Sequence, residues 1–206
     1  MRASITYLLA SFLFLSARLC PAQKCPELEK EPSNERALAV FLKAQESARR
    51  KPDCTIFALR RLGSLNYDGR SMDGGLGASA VAELLAEYLD FQRPPLDDLE
   101  PLGVRGNTQL YPAVQALVAI GISANPALLK VIMSEKSSDI ARENAVTAIM
   151  DMHRDDQAAA VRMLKTAAKK EKTEGSSKRL RQAMNDAAGR CGERDRSACQ
   201  KIAAEK

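Results

Sequence analysis

The sequence predicts an all-α protein in which antiparallel helix hairpins stack side by side as a short α-solenoid. Apolar residues recur at three- and four-residue spacing along most of the chain, which is the period of one helix face. Aromatic residues make up only 4% of the chain, and no stretch sustains a two-residue alternation of β-branched residues, so strands are not expected. Similar segments return after about 30 residues, the period of a repeat built from two helices.

Residues 1–22 have the layout of a cleaved secretory signal. A positive start precedes an apolar run from Ile5 to Ala17, and the small residues Cys20 and Ala22 stand shortly before the expected cleavage point. An uncleaved anchor would need about 18 or more apolar residues, and a basic residue ends this run early. We therefore expect residues 23–206 to form one secreted or periplasmic domain that does not span a membrane.

The cysteines predict two disulfide bonds rather than a metal site. Signal cleavage would remove one cysteine and leave an even set of four, which suits an oxidising compartment. Of the three possible pairings, closeness along the chain favours Cys25 with Cys54 and Cys191 with Cys199, and each bond would hold one end of the domain. Zinc is the alternative, but the chain has no Cys-x-x-Cys and a single histidine, so no metal and no cofactor are predicted.

The first half of the domain is predicted to hold three helices and two loops. Apolar residues at helical spacing mark residues 37–48, and Asp53 is the expected N-cap of a second helix that ends near Gly63. Glycine, asparagine and aspartate dominate the loop predicted over residues 63–77. A third apolar stripe covers residues 78–89, and two consecutive prolines then open an irregular connector over residues 94–109.

The second half is predicted to hold six helices in a more regular series. The first has Pro112 in its first turn, where proline is tolerated. Ser138 or Asp139 is expected to cap the third helix, and Asp155 or Asp156 the fourth. Glycines end the fifth helix, and the sixth is short and contains the last cysteine. Apolar stripes of the first five helices lie at residues 111–121, 128–133, 141–152, 160–168 and 180–188.

Two consecutive segments of this half resemble HEAT repeats. Residues 111–121, followed by residues 125–129, have an early proline and an alanine-leucine core that ends in glycine, as the first helix of that family commonly does. Residues 139–164 are similar to a second unit, and residues 142–145 resemble the family's Arg-x-x-Ala start. This unit lacks the proline, and the resemblance covers about residues 110–168. It implies a scaffold with a concave binding surface and no catalytic chemistry.

Positive charge is concentrated towards the C-terminus. Residues 165–206 contain twelve lysines and arginines against six acidic residues. The densest group consists of Lys169, Lys170, Lys172, Lys178, Arg179 and Arg181. Such a group is suited to an anionic surface or an acidic partner, although a solvated helix face is the alternative interpretation. Nucleic acid is not expected as a partner because no aromatic residue accompanies these charges for base stacking.

No group of residues predicts a catalytic site. His153, the only histidine, has no nucleophile or orienting partner in its sequence context. The glycine-rich residues 73–77 lack the lysine and hydroxyl residue of a phosphate-binding loop. Glu83 and Glu87 lie on one helix face but are interpreted as a solvated pair.

The sequence therefore favours an exported, non-enzymatic binding or scaffold protein, whose partner is another protein or an envelope component. Two other hypotheses stay open. One is an envelope-associated hydrolase with its site near residues 63–77, and the other is a basic accessory protein that docks to anionic surfaces. The absence of any Asn-x-Ser/Thr site is consistent with a bacterial source.

Overall fold

The computed structural model describes residues 52–64, 77–93 and 110–205. Within these ranges the protein is all-helical and contains no strand, which confirms the predicted all-α class. The α-helices are α1 (Pro52–Ser64), α2 (Ala78–Ala86), α3 (Pro112–Ile120), α4 (Asn125–Met133), α5 (Asp139–Met152), α6 (Gln157–Lys170), α7 (Glu174–Arg190) and α8 (Arg196–Ala204). A short 3-10 helix, Gly121–Ala124, joins α3 to α4.

Several predictions fall outside the described residues. They are the signal over residues 1–22, the helix over residues 37–48, and the connector over residues 94–109. Most of the loop predicted over residues 63–77 also lies outside them. These assignments stay predictions.

One continuous apolar core holds the described helices together. Its largest fully buried side chains are Ile56, Leu59, Val81, Leu85, Leu89, Leu117, Leu128, Ile132, Ile149, Leu164 and Leu180. Each comes from a stripe or helix that the sequence predicts, and Ile56 lies in the predicted helix between Asp53 and Gly63. Burying one such side chain contributes about 1.5–3 kcal/mol relative to leaving it in water. Alanines fill much of the remaining contact area and allow neighbouring helices to approach closely.

The order in which the helices pack differs from a simple series of sequential hairpins. Helix α1 packs on α2 and α3, α2 packs on α4, and α5 packs on α3 and α4. The predicted hairpin partners α5 and α6 contact each other only slightly, while α6 packs mainly on α7 and α8. Helix α7 lies against α4 and α5 as well. It is the longest described helix, and its buried positions, which include Leu180, Ala183, Met184 and Ala187, form a face wide enough for several neighbours.

Hydrogen bonds identify the N-caps of two helices. The Ser138 hydroxyl accepts a 3.1 Å bond from the backbone N–H of Ala141, so Ser138 is the N-cap of α5. The Asp156 carboxylate accepts a 3.0 Å bond from the backbone N–H of Ala159 and caps α6 in the same way. The adjacent acidic residue in each case, Asp139 in α5 and Asp155 before α6, is not the N-cap.

Asp53 is not the N-cap that the sequence predicts. Helix α1 already includes Pro52, whose fixed backbone angle suits the first helical position, so Asp53 lies within the first turn. Its buried carboxylate instead accepts a 2.8 Å bond from Nε of Arg93. The backbone N–H of Arg93 also donates a 2.8 Å bond to the carbonyl of Leu110. Arg93 therefore joins α1 to Leu110, two positions before α3 begins.

One stretch of the described residues has the length and composition of a membrane-spanning helix. Pro112–Met133 covers 22 residues with a mean hydropathy of 1.8, and 39% of its apolar window is buried in the fold. The core helices of a soluble protein meet the same criterion. Here the stretch is divided between α3 and α4, since Gly121 takes a φ of 78° and ends α3.

Candidate binding cleft

A cleft of about 470 Å³ opens between α6, α7 and the C-terminal end of α8. We call it the basic cleft. Its lining consists of Lys165, Ala168, Lys169, Arg181, Met184, Asn185, Ala203, Ala204 and Glu205. The volume falls in the lower part of the range usual for ligand pockets, about 300–1,000 Å³. The cleft is therefore large enough to receive a side chain and part of the chain that carries it.

The floor of the basic cleft is apolar. Ala168 and Met184 belong to the buried core, with exposed fractions of 5% and 6%. Ala203 is partly buried against that core, and Ala204 lies beside it at the end of α8. Three of these four side chains are single methyl groups, so the space between the helices is left open. An apolar group entering the cleft would lose contact with water where it meets these side chains.

The rim of the basic cleft carries more positive than negative charge. Nζ of Lys165 donates a 2.7 Å hydrogen bond to the carbonyl of Ile202 and lies 3.1 Å from the Glu205 carboxylate. Lys165 therefore satisfies a carbonyl in the last turn of α8, and Glu205 balances its charge. Lys169 and Arg181 add two further positive charges to the lining. Arg181 is exposed and makes no hydrogen bond or ion pair with another described residue.

The six basic residues of the predicted charge cluster do not form one site. Lys169 and Arg181 line the basic cleft, while Lys170, Lys172 and Lys178 are exposed but outside its lining. Lys165, which was not predicted from the sequence, is the third cation of the lining. The sequence could have indicated Lys165, because it lies one helical turn before Lys169 and the two residues therefore share one face of α6.

Arg179 makes a structural contact instead. Its Nε donates a 2.8 Å bond to the carbonyl of Met133 at the end of α4, and its guanidinium lies 3.5 Å from the Glu135 carboxylate. An arginine at a helix C-terminus satisfies carbonyls that have no partner within the helix. Arg179 thereby joins α7 to α4 and does not face the basic cleft.

A second depression, of about 410 Å³, lies between α4, α5 and α7. Two of its arginines are already paired, because Arg142 lies 2.6 Å from Asp139 and Arg190 lies 3.1 Å from Glu143. These charges are compensated within the protein, and exposed pairs of this kind contribute at most about 1 kcal/mol each. The depression has no comparable excess of one charge sign.

The predicted disulfide between Cys191 and Cys199 is confirmed. The S–S distance is 2.06 Å, and both residues are buried. The bond ties the end of α7 to α8, and α8 supplies one wall of the basic cleft. Cys54 is also disulfide-bonded. Its predicted partner Cys25 lies outside the described residues, so that pairing stays a prediction.

The N-terminal end of α8 is held by a second set of contacts. The backbone N–H of Gly192 donates a 2.7 Å bond to Oε1 of Gln157 at the start of α6. The backbone N–H of Gln157 donates to the Asp195 carboxylate at 3.4 Å. The Arg194 guanidinium, 3.3 Å from the Asp195 carboxylate, lowers the pKa of that carboxyl group by its hydrogen bond and charge.

The residues that the sequence analysis considered as possible catalytic groups do not line the basic cleft. His153 is the C-cap of α5, and its Nε2 is buried without a hydrogen-bond partner among the described residues. Glu83 and Glu87 are exposed, as predicted, and Glu83 lies 3.7 Å from Lys130. Across the three described ranges, no group of histidine, cysteine and acidic residues is arranged to hold a metal ion.

No known protein family, curated protein or solved structure matches this chain. The assignment of a function therefore depends on the chemistry of the described surface.

Proposed function

We propose that the mature chain is an exported, non-enzymatic binding protein that holds another protein or an envelope component on its helical surface. The basic cleft is the observation that carries this proposal. It combines an apolar floor with an excess of positive charge at the rim, which is the combination that binding sites use for affinity and orientation. None of its lining residues is Ser, Thr, Cys, His or Asp, and its one carboxylate, Glu205, lies 3.1 Å from Nζ of Lys165.

The packing of the first five helices supports a HEAT-like scaffold. Helices two positions apart in the series lie side by side: α1 with α3, α2 with α4, and α3 with α5. Side-by-side packing of alternate helices is what stacked hairpins of a solenoid require. In this proposal α7 completes the stack in place of α6, and the pair α6 and α8 closes the C-terminal end.

The cysteine chemistry supports export. The Cys191–Cys199 bond is buried in the core, and stable disulfides are typical of the periplasm and of secreted proteins. An export signal over residues 1–22 would deliver the chain to such a compartment.

Photocrosslinking in the native envelope tests the proposed function. A photoreactive amino acid is placed in the mature chain at the exposed positions Ile122, Ile140 or Lys170. We expect a discrete adduct from at least one position, and its yield should fall when excess unlabelled mature chain competes. If no position gives an adduct that the unlabelled chain displaces, the binding function is wrong.

Docking to anionic surfaces is the second candidate function, and the exposed Lys170, Lys172 and Lys178 favour it. Binding of this kind depends on screened charge, so it should weaken steeply as salt is raised. Sedimentation of the mature chain with vesicles containing anionic lipid, at low and high salt, tests it. Equal binding to neutral vesicles would exclude this candidate.

A further inference from the structure

We propose that oxidation of Cys191 and Cys199 docks α8 and thereby builds the basic cleft. This inference rests on the proposed binding function and adds its regulation, since the site then forms only after the chain reaches an oxidising compartment. Three features carry it: the few buried contacts of α8, the part of the cleft that α8 supplies, and a core that does not depend on this helix.

Helix α8 has little apolar attachment apart from the disulfide. Cys199 is its one buried residue, and Ile202 and Ala203 are partly buried against the core. A helix of nine residues is marginal in water without further packing. The other side chains of α8 are exposed, namely those of Arg196, Ser197, Ala198, Gln200, Lys201 and Ala204. Docking of α8 therefore depends on the bond that Cys199 makes.

The disulfide favours the docked helix by restricting the undocked one. Its two cysteines are eight positions apart, and Cys191 directly follows α7. For a loop of this length the chain-entropy relation lowers the undocked population by about 50- to 100-fold. In the thiol form, the C-terminal half of α8 keeps the 2.7 Å hydrogen bond that Lys165 donates to the carbonyl of Ile202.

The docked helix completes the basic cleft. Ala203 and Ala204, at the end of α8, and the following Glu205 belong to the lining. Lys165 contacts the same end of the helix, through the carbonyl of Ile202 and the Glu205 carboxylate. Undocking of α8 removes this wall of the cleft and leaves Lys165 without both contacts.

The rest of the core does not depend on α8. None of the largest fully buried side chains belongs to this helix, and its main contacts are with α6 and α7. Helix α7 also packs on α4, α5 and α6. The thiol form therefore retains a folded body on which α8 can dock.

The oxidation step requires a disulfide oxidant in the receiving compartment. With α8 undocked, the thiolate of one cysteine attacks the disulfide of the oxidant and displaces one of its sulfurs. The second cysteine then attacks the mixed disulfide and displaces the other sulfur. Two electrons pass to the oxidant, which becomes a dithiol and takes up the two protons that the cysteines lose. Docking then buries Cys191 and Cys199, which protects the new bond.

Glutathione redox buffers test whether docking and oxidation are coupled. Alkylation and peptide mapping of the mature chain give the oxidised fraction of Cys191 and Cys199. Lys165→Gln removes a docking contact that touches neither sulfur, so it should lower the equilibrium constant for oxidation at least about fivefold. Equal constants for this variant and the parent would overturn the proposal, because α8 would then be docked in both redox forms.

Lys201→Gln is the matched control for this measurement. It makes the same charge change on α8, at an exposed lysine whose side chain has no ion pair among the described residues. The equilibrium constant for oxidation should stay within about twofold of the parent value. Equal losses in the two lysine variants would also overturn the proposal.

Hydrogen exchange tests the release of α8 directly. The Cys191→Ala, Cys199→Ala double variant represents the thiol form without disturbing the disulfide of Cys54. Amides of α8 should lose about 50- to 100-fold in protection, while those of α3 should stay as protected as in the parent. Unchanged protection of α8, or an equal loss in α3, would overturn the proposal.

Photocrosslinking in the native envelope separates this regulation from the proposed function. A photoreactive amino acid replaces Asn185, an exposed residue of the lining, in the oxidised chain and in the double alanine variant. The adduct yield should be at least about fivefold lower in the variant, because fewer molecules have a complete cleft. Equal yields from both chains would overturn the regulation and preserve the binding function. No adduct from either chain would reject binding at this cleft, and its regulation with it, even where α8 is released.

Discussion

The side-chain amide of Asn144 donates a 2.7 Å hydrogen bond to the carbonyl of Leu89, across 55 positions of the sequence. Asn144 lies in α5 on the same face as Ala141, Ala145 and Ala148 and is only 5% exposed. Leu89 lies in the turn that follows α2, where a carbonyl has no further helical turn to pair with it. The bond therefore links α5 to the turn that follows α2.

Replacing Asn144 by alanine should destabilise the protein. The Leu89 carbonyl would lose its partner in a buried position, and an unsatisfied buried polar group costs about 1–3 kcal/mol. Urea unfolding of the mature chain measures the loss. Asn185→Ala is the control, since Asn185 is an exposed helical asparagine whose replacement should change stability by less than about 0.5 kcal/mol. Equal stability of the two variants would show that the buried bond contributes little.

Removing the Cys191–Cys199 bond should release α8. The chain-entropy relation gives about 2.6 kcal/mol for a loop of this length. We expect the Cys191→Ala, Cys199→Ala double variant to lose about that much stability and to exchange the amide hydrogens of α8 faster, since Cys199 is the fully buried residue that anchors this helix. Amides of α3 serve as the internal reference. Unchanged protection of α8 would mean that Lys165 and the contacts of Gln157 hold the helix without the disulfide.

The sequence predicted local features that depend on neighbouring residues. Ser138 and Asp156 were identified as possible N-caps because a capping side chain acts on a backbone N–H only a few residues away. The Cys191–Cys199 pairing could also be predicted, because the two cysteines are only eight positions apart in the sequence. Asp53 was misassigned because its partner, Arg93, is distant in sequence, and the carboxylate alone resembles an N-cap.

The basic cleft could be predicted only in part. Lys169 and Arg181 belong to the charge cluster that the sequence showed, but Ala203 and Glu205 join them only because α8 folds back on α6. The packing of α7 on α4 could not be derived from repeat spacing, which pairs each helix with its neighbour in sequence. The pairing of apolar helix faces depends on how all the helices pack together into one core, and the sequence of any single helix does not specify it.

The stability of the α8 junction should depend on pH through Asp195. Its carboxyl pKa is lower in the folded protein, chiefly because Arg194 donates a hydrogen bond to it. Such a group stabilises the fold above its unfolded pKa, and the contribution is lost as pH falls through the folded pKa. Asp195→Asn should therefore be less stable than the parent chain at about pH 7, and the difference should shrink towards about pH 3.

Urea unfolding of both chains at the two pH values checks this expectation. Asp186→Asn is the control, because Asp186 is exposed and has no ion pair among the described residues. The free energy of unfolding of Asp186→Asn should differ little from that of the parent chain at either pH. A stability difference for Asp195→Asn that grows on acidification would contradict the assigned direction.

Gly121 and Gly189 should respond to alanine in opposite directions. Gly121 has φ 78° and ψ −155°, a conformation open to glycine but strained for other residues by about 1–3 kcal/mol. Apart from the adjoining residues and the backbone of its own helix, a Cβ at either position would meet no atom within 4 Å, so no clash with the rest of the fold obscures the backbone effect. Gly121→Ala should lose stability, whereas Gly189→Ala, within α7, should gain up to about 1 kcal/mol from higher helix propensity. The urea midpoints of the two variants, at an unchanged m-value, give the change in the free energy of unfolding for each substitution. Unchanged stability of Gly121→Ala would contradict this expectation. It would mean that the chain between α3 and α4 relaxes freely to an ordinary backbone conformation. The angle between α3 and α4 would then be set by their packing on α1, α2 and α5 rather than by the glycine.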